Sequence, residues 1–542
     1  MKRLLCIWLI GCMLVGCLAG CGRDDGTGGG FRFPIPDEPS ALDPQMATDE
    51  AAVTVLCALF EGLTRLDNDG KAVPAAADWT VSEDGLTYTF TLREGYWNVN
   101  PTEGKEQPWD ENLPVTAEDF LFAFHRLADP AIASPLAGEL VGIRNAEQVM
   151  AGDLPLSDLG VAATDDTTLV ITLSAPDDDF PAKMATSPFF PCHRGFFEAT
   201  AGRYGLEQKY LLTNGAFRLV AWNHKESLLA YKHEQYRDAA AIAPEAVRFV
   251  IGGDDPVAAL QTGDLSAAPL TAAQAASAAG ITTVTLHDAV RSVWLNTSAD
   301  PLAEVHLRRA LRDSVQWDSV DGYLAQVGEM AATGYIPPAA LADGAVYRTA
   351  DNALPRRTDT EAATANLKTA LNALYPDQTA SPSRIKITLL AAEDAVSADL
   401  ARYILQSWQK NLGVTVKLEL VSEATLAARV RSGNYQAALY THTPSGLTGA
   451  ENLTVFDSAA TDNVARLVDD GVDAALSAAK RGGREETEAA EQAVWEACPA
   501  IPIGFPYRYY GFAANTSDIV ARPFGGGRYQ APLDFREAKQ WD

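Results

Sequence analysis

Apolar and polar residues alternate along several short segments of the chain, and this alternation predicts β-strands. Residues 87–92 (TYTFTL) and 168–173 (TLVITL) place apolar side chains at every second position. Residues 384–390 and 414–420 alternate in the same way, and the segment between them, about 396–412, has the periodicity of an amphipathic helix. Because a strand–helix–strand order favours a parallel crossover, the pattern predicts a mixed α/β fold.

Helix signals and composition predict the character of other segments. Residues 49–63 have a helical apolar pattern, and Thr116 is placed to cap a helix whose first turn carries two acidic residues. The alanine-rich stretch 267–279 is interpreted as one helix with its turns. The polar, alanine-rich stretch 342–363 is interpreted as a surface loop.

The N-terminus has the composition of an export signal. Two basic residues precede an uncharged apolar run over residues 4–20, as in a secretory signal peptide. Small residues precede Cys17 and Cys21 in sequences that resemble the bacterial lipobox, in which the cysteine is lipidated. We favour Cys21, with Cys17 as the alternative, because a glycine-rich, flexible tether over 21–30 begins there.

This interpretation predicts a lipid-anchored protein on the extracytoplasmic face of the cell membrane, because two or three acyl chains bind a bilayer stably. Residues 1–20 would be removed as a signal peptide, and the alternative is that they remain as a membrane helix. Roughly 520 residues follow the signal, which is enough for two or three domains.

Charge and cysteine content exclude several classes of function. The formal net charge is −28, which argues against nucleic acid as a partner and against broad electrostatic attachment to anionic lipid. Cys57, Cys192 and Cys498 are widely spaced, so they form neither a disulfide framework nor a metal-binding spacing. A single disulfide between two of these three cysteines is left open.

The sequence contains no catalytic or cofactor motif that we recognise. His233 and Glu234 begin a zinc-protease pattern, but position 237 is Arg where a second histidine ligand is needed. The glycine-rich stretch 26–30 has neither a preceding strand nor the lysine of a phosphate-binding loop. We therefore predict a protein that is not an enzyme, with no catalytic residue, cofactor or metal.

A series of short motifs runs through nearly the whole chain. They are EPSALDP (38–44), FEGL (60–63), DWTVSEDGLTYTFTLR (78–93), PVTAEDF (114–120), TNGAF (213–217), LNT (295–297), RRAL (308–311) and LGVTV (412–416). In order and spacing they resemble the family 5 extracellular solute-binding proteins of ABC importers, typified by oligopeptide- and dipeptide-binding proteins. Each motif alone is weak, whereas the ordered series is specific.

The resemblance implies an α/β, two-lobed periplasmic-binding-protein fold (type II, cluster C-like) with an extra subdomain and lobes that close about a hinge. Lobe I would combine residues 31–60, 213–295 and 501–542, the subdomain would span 61–212, and lobe II would span 296–500. The resemblance also implies a monomeric receptor that captures a solute and delivers it to ABC permease and ATPase subunits.

Peptides are the default ligand class that the resemblance implies. In peptide-binding relatives an aspartate pairs with the α-ammonium of the peptide, and by simple alignment that position falls near Ser445. No carboxylate follows in the sequence before Glu451. An unpaired buried ammonium is costly, so this departure counts against recognition of a free peptide N-terminus.

The positions that face the cleft in relatives give a set of expected wall residues. They are Trp294, Tyr440, His442, Ser445, Phe505 and Tyr507. For the aromatic members, ordinary core packing is an equal alternative, and for His442 a surface or hydrogen-bonding role is favoured over ligand contact. Other cargoes on the same fold are an oligosaccharide, a metal chelate or another small solute, and the less favoured functions are a surface hydrolase and an adhesion or sensing lipoprotein.

Overall fold

A computed structural model describes most of the chain. The described ranges are 30–67, 71–99, 112–177, 180–253, 255–376, 380–444, 446–460, 462–519, 521–524 and 529–540. Cys17, Cys21 and Ser445 lie outside the described residues, so the predicted lipid attachment stays a prediction.

Among the described residues, the strands are distributed over three larger sheets, one three-stranded sheet and three two-stranded ladders. In chain order they are β1 (Gly30–Ile35), β2 (Thr64–Leu66), β3 (Ala72–Pro74), β4 (Ala77–Val81), β5 (Thr87–Leu92), β6 (Val161–Asp165), β7 (Thr168–Thr172), β8 (Phe217–Asn223), β9 (Ser227–Lys232), β10 (Ala246–Ile251), β11 (Ala267–Leu270), β12 (Thr282–Leu286), β13 (Val290–Leu295), β14 (Met330–Ala331), β15 (Leu341–Ala342), β16 (Ala345–Val346), β17 (Lys386–Ala392), β18 (Thr415–Val421), β19 (Ala437–His442), β20 (Ala500–Phe505), β21 (Arg508–Phe512), β22 (Thr516–Ser517) and β23 (Lys539–Gln540).

The α-helices lie between these strands. In chain order they are α1 (Glu50–Leu59), α2 (Ala117–Ala128), α3 (Ala146–Met150), α4 (Phe180–Lys183), α5 (Arg194–Ala199), α6 (Pro256–Thr262), α7 (Ala272–Ser277), α8 (Val305–Asp313), α9 (Trp317–Gln326), α10 (Thr360–Leu374), α11 (Ala395–Leu412), α12 (Glu423–Ser432), α13 (Gly449–Asn452), α14 (Asp470–Ala479) and α15 (Arg484–Ala497). Within the part of the chain that the structure describes, no helix combines the length and apolar character needed to cross a bilayer.

The subdomain is an antiparallel sheet in the order β4–β5–β7–β6, with α2 packed on one face. The alternation seen in the sequence directs Phe90, Leu169 and Ile171 into its core. At the start of α2, the N–H and hydroxyl of Thr116 both donate to the side chain of Asp119. The predicted strands and helix start are therefore confirmed.

Lobe I contains the sheet β1–β10–β9–β8, in which β1 and β10 are parallel, and the smaller sheet β11–β21–β12. Phe535 packs edge-to-face against Phe31, Phe33 and Phe249 in its core. The C-terminal segment therefore completes the hydrophobic core that the first strand begins.

Lobe II contains a six-stranded sheet in the order β14–β20–β13–β19–β17–β18. The predicted strand–helix–strand unit is present, because β17 pairs parallel with β18 and α11 connects them. The helix ends at Gly413, whose φ of 72° lies in the left-handed region that glycine adopts without penalty. Apolar clusters cover both faces of the sheet, as expected for a parallel α/β arrangement.

The chain crosses between the sheets of the two lobes in two places. Residues 287–289 join β12 of lobe I to β13 of lobe II, and residues 506–507 join β20 back to β21. Residues 290–295 and 500–505 are thus strands of the lobe II sheet. The division into lobes remains our proposal, and we now place its two boundaries at these crossings.

Two interpretations made from composition were only partly correct. Residues 267–270 form strand β11 against β21, and only 272–277 are helical, because Pro269 cannot donate within a helix whereas strand pairing is available. The expected surface loop over 342–363 contains the fully buried Tyr347, whose hydroxyl donates to Glu491 at 2.9 Å.

Candidate functional site

One edge of the lobe II sheet lies next to both crossings. Strands β17, β18, β19 and β20 all end there, and the antiparallel strand β13 begins there at Val290. In open α/β sheets, ligands bind beyond the carboxyl ends of the strands. This edge is therefore our candidate binding site.

Tyr440 and His442 lie at the end of β19 on one face of the sheet. They are paired with Ser292 and Val290 of β13, and residues opposite each other in an antiparallel pair share a face. Both residues are half-buried. The structure thus brings two of the expected wall residues together at the candidate edge.

Trp294 lies two residues further along the same face and is 1% exposed. Its ring stacks on Phe456 with 5.5 Å between centroids and meets His442 edge-to-face at 5.8 Å. Its indole N–H donates to the carbonyl of Tyr440 at 3.1 Å. Trp294 therefore supports Tyr440 and His442 from below and is not itself accessible in this arrangement.

Phe505 and Tyr507 lie where the chain leaves lobe II. Phe505 is 1% exposed and clusters with Val290 and Ala332. Tyr507 is half-buried in the second crossing, and its ring meets that of His287 edge-to-face at 4.7 Å. Tyr507 is thus partly accessible to a ligand at the second crossing, whereas Phe505 is enclosed in a small apolar cluster.

The carboxylates near this edge are of particular interest, because Ser445 replaces the expected aspartate. Glu451, the first carboxylate after β19, accepts the backbone N–H and the hydroxyl of Thr448 in a capping box at the start of α13. Burial lowers the pKa of His442, and the negative charge of Asp462 partly offsets that effect. Asp462, which precedes α14, is therefore a carboxylate whose charge acts on His442, and sequence alignment did not single it out.

A buried ion pair joins the two crossings. Asp288 is fully buried and accepts two hydrogen bonds from Arg508, from Nε at 2.8 Å and from Nη2 at 2.5 Å, and a third from the N–H of Phe524 at 2.7 Å. Burial alone would lower the pKa of Arg508, but its hydrogen bonds and charge interaction with Asp288 raise it. No sequence motif indicated this pair, because its members lie far apart in the chain.

The cavities found in the described residues lie elsewhere. One, of about 460 Å³, lies beside the subdomain sheet and is lined by residues that include Arg144, Asp158 and Thr172. Another, of about 70 Å³, lies under the C-terminal segment beside Cys57 and Asp534. The expected wall residues line neither cavity, so the candidate site rests on the topology of the sheet and not on an enclosed volume.

The three cysteines that the structure describes are all free thiols. Burial raises the pKa of Cys57 and of Cys192 to about 12, and it also raises the pKa of Cys498. Within the described ranges, His, Cys, Asp and Glu side chains form no group suited to holding a metal ion.

The family can now be assigned. The model for bacterial extracellular solute-binding proteins, family 5 Middle, matches residues 72–463. The chain belongs to the family 5 extracellular solute-binding proteins. The resemblance inferred from the motifs is therefore confirmed, and the family and the relatives of this solute-binding protein are named for binding and not for catalysis.

Two curated relatives of this family 5 protein are named for the solutes that they bind. The oligopeptide-binding protein OppA of Bacillus subtilis is 28% identical over 418 residues, which cover 75% of this chain and 73% of OppA. The probable deoxycholate-binding periplasmic protein YgiS of Escherichia coli is 35% identical over 223 residues, which cover 41% of this chain and 39% of YgiS.

A solved structure supports the same fold for the family 5 protein. The substrate-binding domain of an oligopeptide ABC transporter from Bacillus anthracis superposes with a TM-score of 0.73 and 25% identity. The alignment covers 94% of this chain and 98% of that domain. The two-lobed α/β fold expected from the sequence is confirmed.

Proposed function

We propose that this protein is the receptor of an ABC importer, that it captures peptides between its two lobes and that it delivers them to a membrane permease. The observation that carries the proposal is the likeness, over nearly its full length, to the substrate-binding domain of an oligopeptide ABC transporter. The name of the Bacillus subtilis relative, oligopeptide-binding protein, supports the same ligand class.

The candidate edge of lobe II has features that suit a peptide. Tyr440, His442 and Tyr507 would line the ligand, and the buried Trp294 and Phe505 would hold that wall in place. Half-buried tyrosine and histidine side chains offer apolar surface together with hydrogen-bonding atoms, which a peptide backbone requires. Ser445 would complete the wall by virtue of its place in the sequence.

Asp462 is a candidate partner for the peptide α-ammonium, because Ser445 stands where an aspartate is expected. Its negative charge acts on His442, one of the expected wall residues. We infer that Asp462 compensates for Ser445 by providing negative charge for the α-ammonium of a bound peptide, since a buried ammonium requires an anionic partner.

The proposed setting is the extracytoplasmic face of the cell membrane. Lipid on Cys21, or on Cys17, would tether a monomeric receptor that acts with permease and ATPase subunits and catalyses no reaction itself. Intact mass measurement of the membrane-extracted protein tests the anchor, because cleavage before Cys21 or before Cys17 gives different acylated masses. An unacylated full-length mass would contradict the anchor.

Native mass spectrometry of the purified protein tests the cargo. We expect co-purified peptide that is released under denaturing conditions, and we expect added short peptides to raise the melting temperature. If a peptide library raises it no more than buffer does, while another solute class raises it, the peptide proposal is wrong.

A small non-peptide solute is the second candidate. The relative with the higher identity, YgiS, is named as probably deoxycholate-binding, and the position expected to hold the ammonium-binding aspartate is Ser445 here. The same thermal measurements should therefore include a bile acid, an oligosaccharide and a metal chelate. Stabilisation by one of these in place of peptides would favour the second candidate.

A further inference from the structure

The C-terminal part of the chain reaches the apolar cores of all three parts of the molecule. Phe524 is 2% exposed and belongs to an apolar cluster of lobe II. Tyr529 belongs to the core of the subdomain, and Leu533 belongs to the core of lobe I. Residues 521–524, which we call the C-terminal strap, thus form a third link between the lobes, beside the first crossing.

Hydrogen bonds show where the strap is attached. At its beginning, Arg522 donates from its backbone N–H to the carbonyl of Pro532 and from Nη2 to Asp534, both at 3.0 Å. These partners belong to the segment that completes the core of lobe I. At its end, the N–H of Phe524 donates to Asp288, in the first crossing, at 2.7 Å.

The backbone at Phe524 adopts a conformation that aromatic residues rarely take. Its φ is 60°, in the left-handed region where a Cβ atom is crowded by the backbone. Such a conformation persists only where the surroundings hold it, and here the hydrogen bond to Asp288 and the burial of the ring do so. The ring lies in an apolar cluster of lobe II.

This arrangement has a consequence for the hinge. If lobe II moves away from lobe I and the strap, the ring of Phe524 leaves an apolar cluster and becomes exposed to water, which is unfavourable. The same cluster contains Trp294, which supports Tyr440 and His442. Burial of Phe524 therefore favours the arrangement of the lobes in which the strap packs on the lobe II cluster that underlies the candidate wall.

We propose that Phe524 is a positioning residue that latches lobe II to the C-terminal strap and so increases the fraction of ligand-free protein in the binding-competent arrangement. The effect on affinity rests on the proposed function, because the apparent affinity scales with the competent fraction. The effect on the lobes themselves requires no ligand.

A distance measurement tests the latch in the full chain. Cysteines introduced at the exposed positions Glu226 in lobe I and Val468 in lobe II would carry spin labels, and Cys57, Cys192 and Cys498 are left in place because they are half-buried or buried. A labelled sample without the two introduced cysteines corrects for the other four cysteines, which lie within residues 1–21. Without added ligand, we expect Phe524→Ala to shift the interlobe distances towards longer values.

The control removes apolar volume from the same cluster without touching the strap. Leu476, in α14 of lobe II, is 1% exposed, so Leu476→Ala creates a comparable cavity within one lobe. We expect the interlobe distances of this variant to match those of the unmodified protein. Phe524→Leu retains an apolar side chain, so its interlobe distances should lie between those of Phe524→Ala and those of the unmodified protein. This variant replaces Phe524→Ala in the test if Phe524→Ala does not fold.

The result that would overturn the latch is an unchanged distance distribution in both Phe524 variants, or an equal shift in Leu476→Ala. Peptide affinity is then measured with a peptide that raises the melting temperature of the unmodified protein. There we expect Phe524→Ala to weaken binding about tenfold, as a tenfold fall in the competent fraction would produce. If no peptide binds any variant, the proposed cargo is wrong, and the distance arm still decides the latch.

Discussion

Arg508 and Asp288 form an ion pair that joins the two places where the chain passes between lobes. Asp288 lies in the first crossing and Arg508 directly follows the second, and Arg508 is paired across the small lobe I sheet with Leu286, two residues before Asp288. The two crossing segments are thereby held side by side by a buried charge pair. The hinge is thus built by residues that are 220 positions apart in the sequence.

Neutralising Asp288 should destabilise the protein strongly. Asp288→Asn leaves the guanidinium of Arg508 without its anionic partner and removes an acceptor from the N–H of Phe524. We expect a loss of about 3 kcal/mol in the free energy of unfolding, as for other broken buried pairs. Urea denaturation followed by tryptophan fluorescence measures this loss.

An exposed ion pair of similar geometry provides the control for that experiment. Arg93 and Asp78 form a bidentate pair at 2.9 and 2.7 Å, but the side chain of Asp78 is 59% exposed. Asp78→Asn should therefore cost less than about 1 kcal/mol. Equal losses in the two variants would show that burial of Asp288 is not what makes its pair important.

His233 should make stability depend on pH. Burial lowers the pKa of His233 from 6.5 to about 4, so between these values the unfolded chain binds a proton that the folded chain does not. Stability is therefore complete above the unfolded pKa and falls as pH decreases from about 6.5 to 4, by about 3 kcal/mol from this residue. His233→Gln should remove that part of the slope, as measured by denaturation at several pH values.

His224 should contribute to the pH dependence of stability in the opposite direction. Its exposed ring is hydrogen-bonded to Glu38, which raises the pKa of His224, so its contribution is present at low pH and is lost as pH rises through the folded pKa. His224→Gln should leave the loss of stability below pH 6.5 essentially intact. If the free energy of unfolding of His233→Gln still falls by the same amount between pH 6.5 and 4, other groups cause the acid sensitivity.

Local sequence signals predicted the elements well where the pattern and the tertiary environment agree. The alternation over 384–390 and the glycine at position 413 correctly predicted a strand, a helix end and a parallel crossover. The alanine-rich stretch 267–279 failed, because alanine favours a helix whereas pairing with β21 stabilises a strand there.

The candidate site was predicted only in part, for physical reasons. Tyr440 and His442 were expected in the wall from the family resemblance, but burial of Trp294 and Phe505 depends on packing from other elements. The influence of Asp462 on His442 likewise depends on the path of a loop, which no local pattern encodes.

Gly215 should be intolerant of any side chain. A Cβ atom at this position would lie 2.6 Å from the carbonyl oxygen of Leu59, a backbone atom that cannot turn away. Gly215→Ala should therefore lower the free energy of unfolding by about 2 kcal/mol through overpacking. At Gly138, a Cβ atom would meet nothing within 4 Å, so Gly138→Ala should be nearly neutral in the same denaturation assay, and equal effects would contradict the steric argument.

The charge of Asp462 should strengthen the binding of peptides that have a free N-terminus. If Asp462 partners the α-ammonium, Asp462→Asn should weaken binding of free peptides at least tenfold, because truncating a buried charge pair typically costs about 2 kcal/mol or more. Binding of the same peptides with acetylated N-termini should change little, since they carry no ammonium. Asp470→Asn, at an exposed helix start in the same lobe, is the matched control and should leave both affinities unchanged. Calorimetric titrations in which Asp462→Asn weakens free and acetylated peptides equally would assign Asp462 a structural role instead.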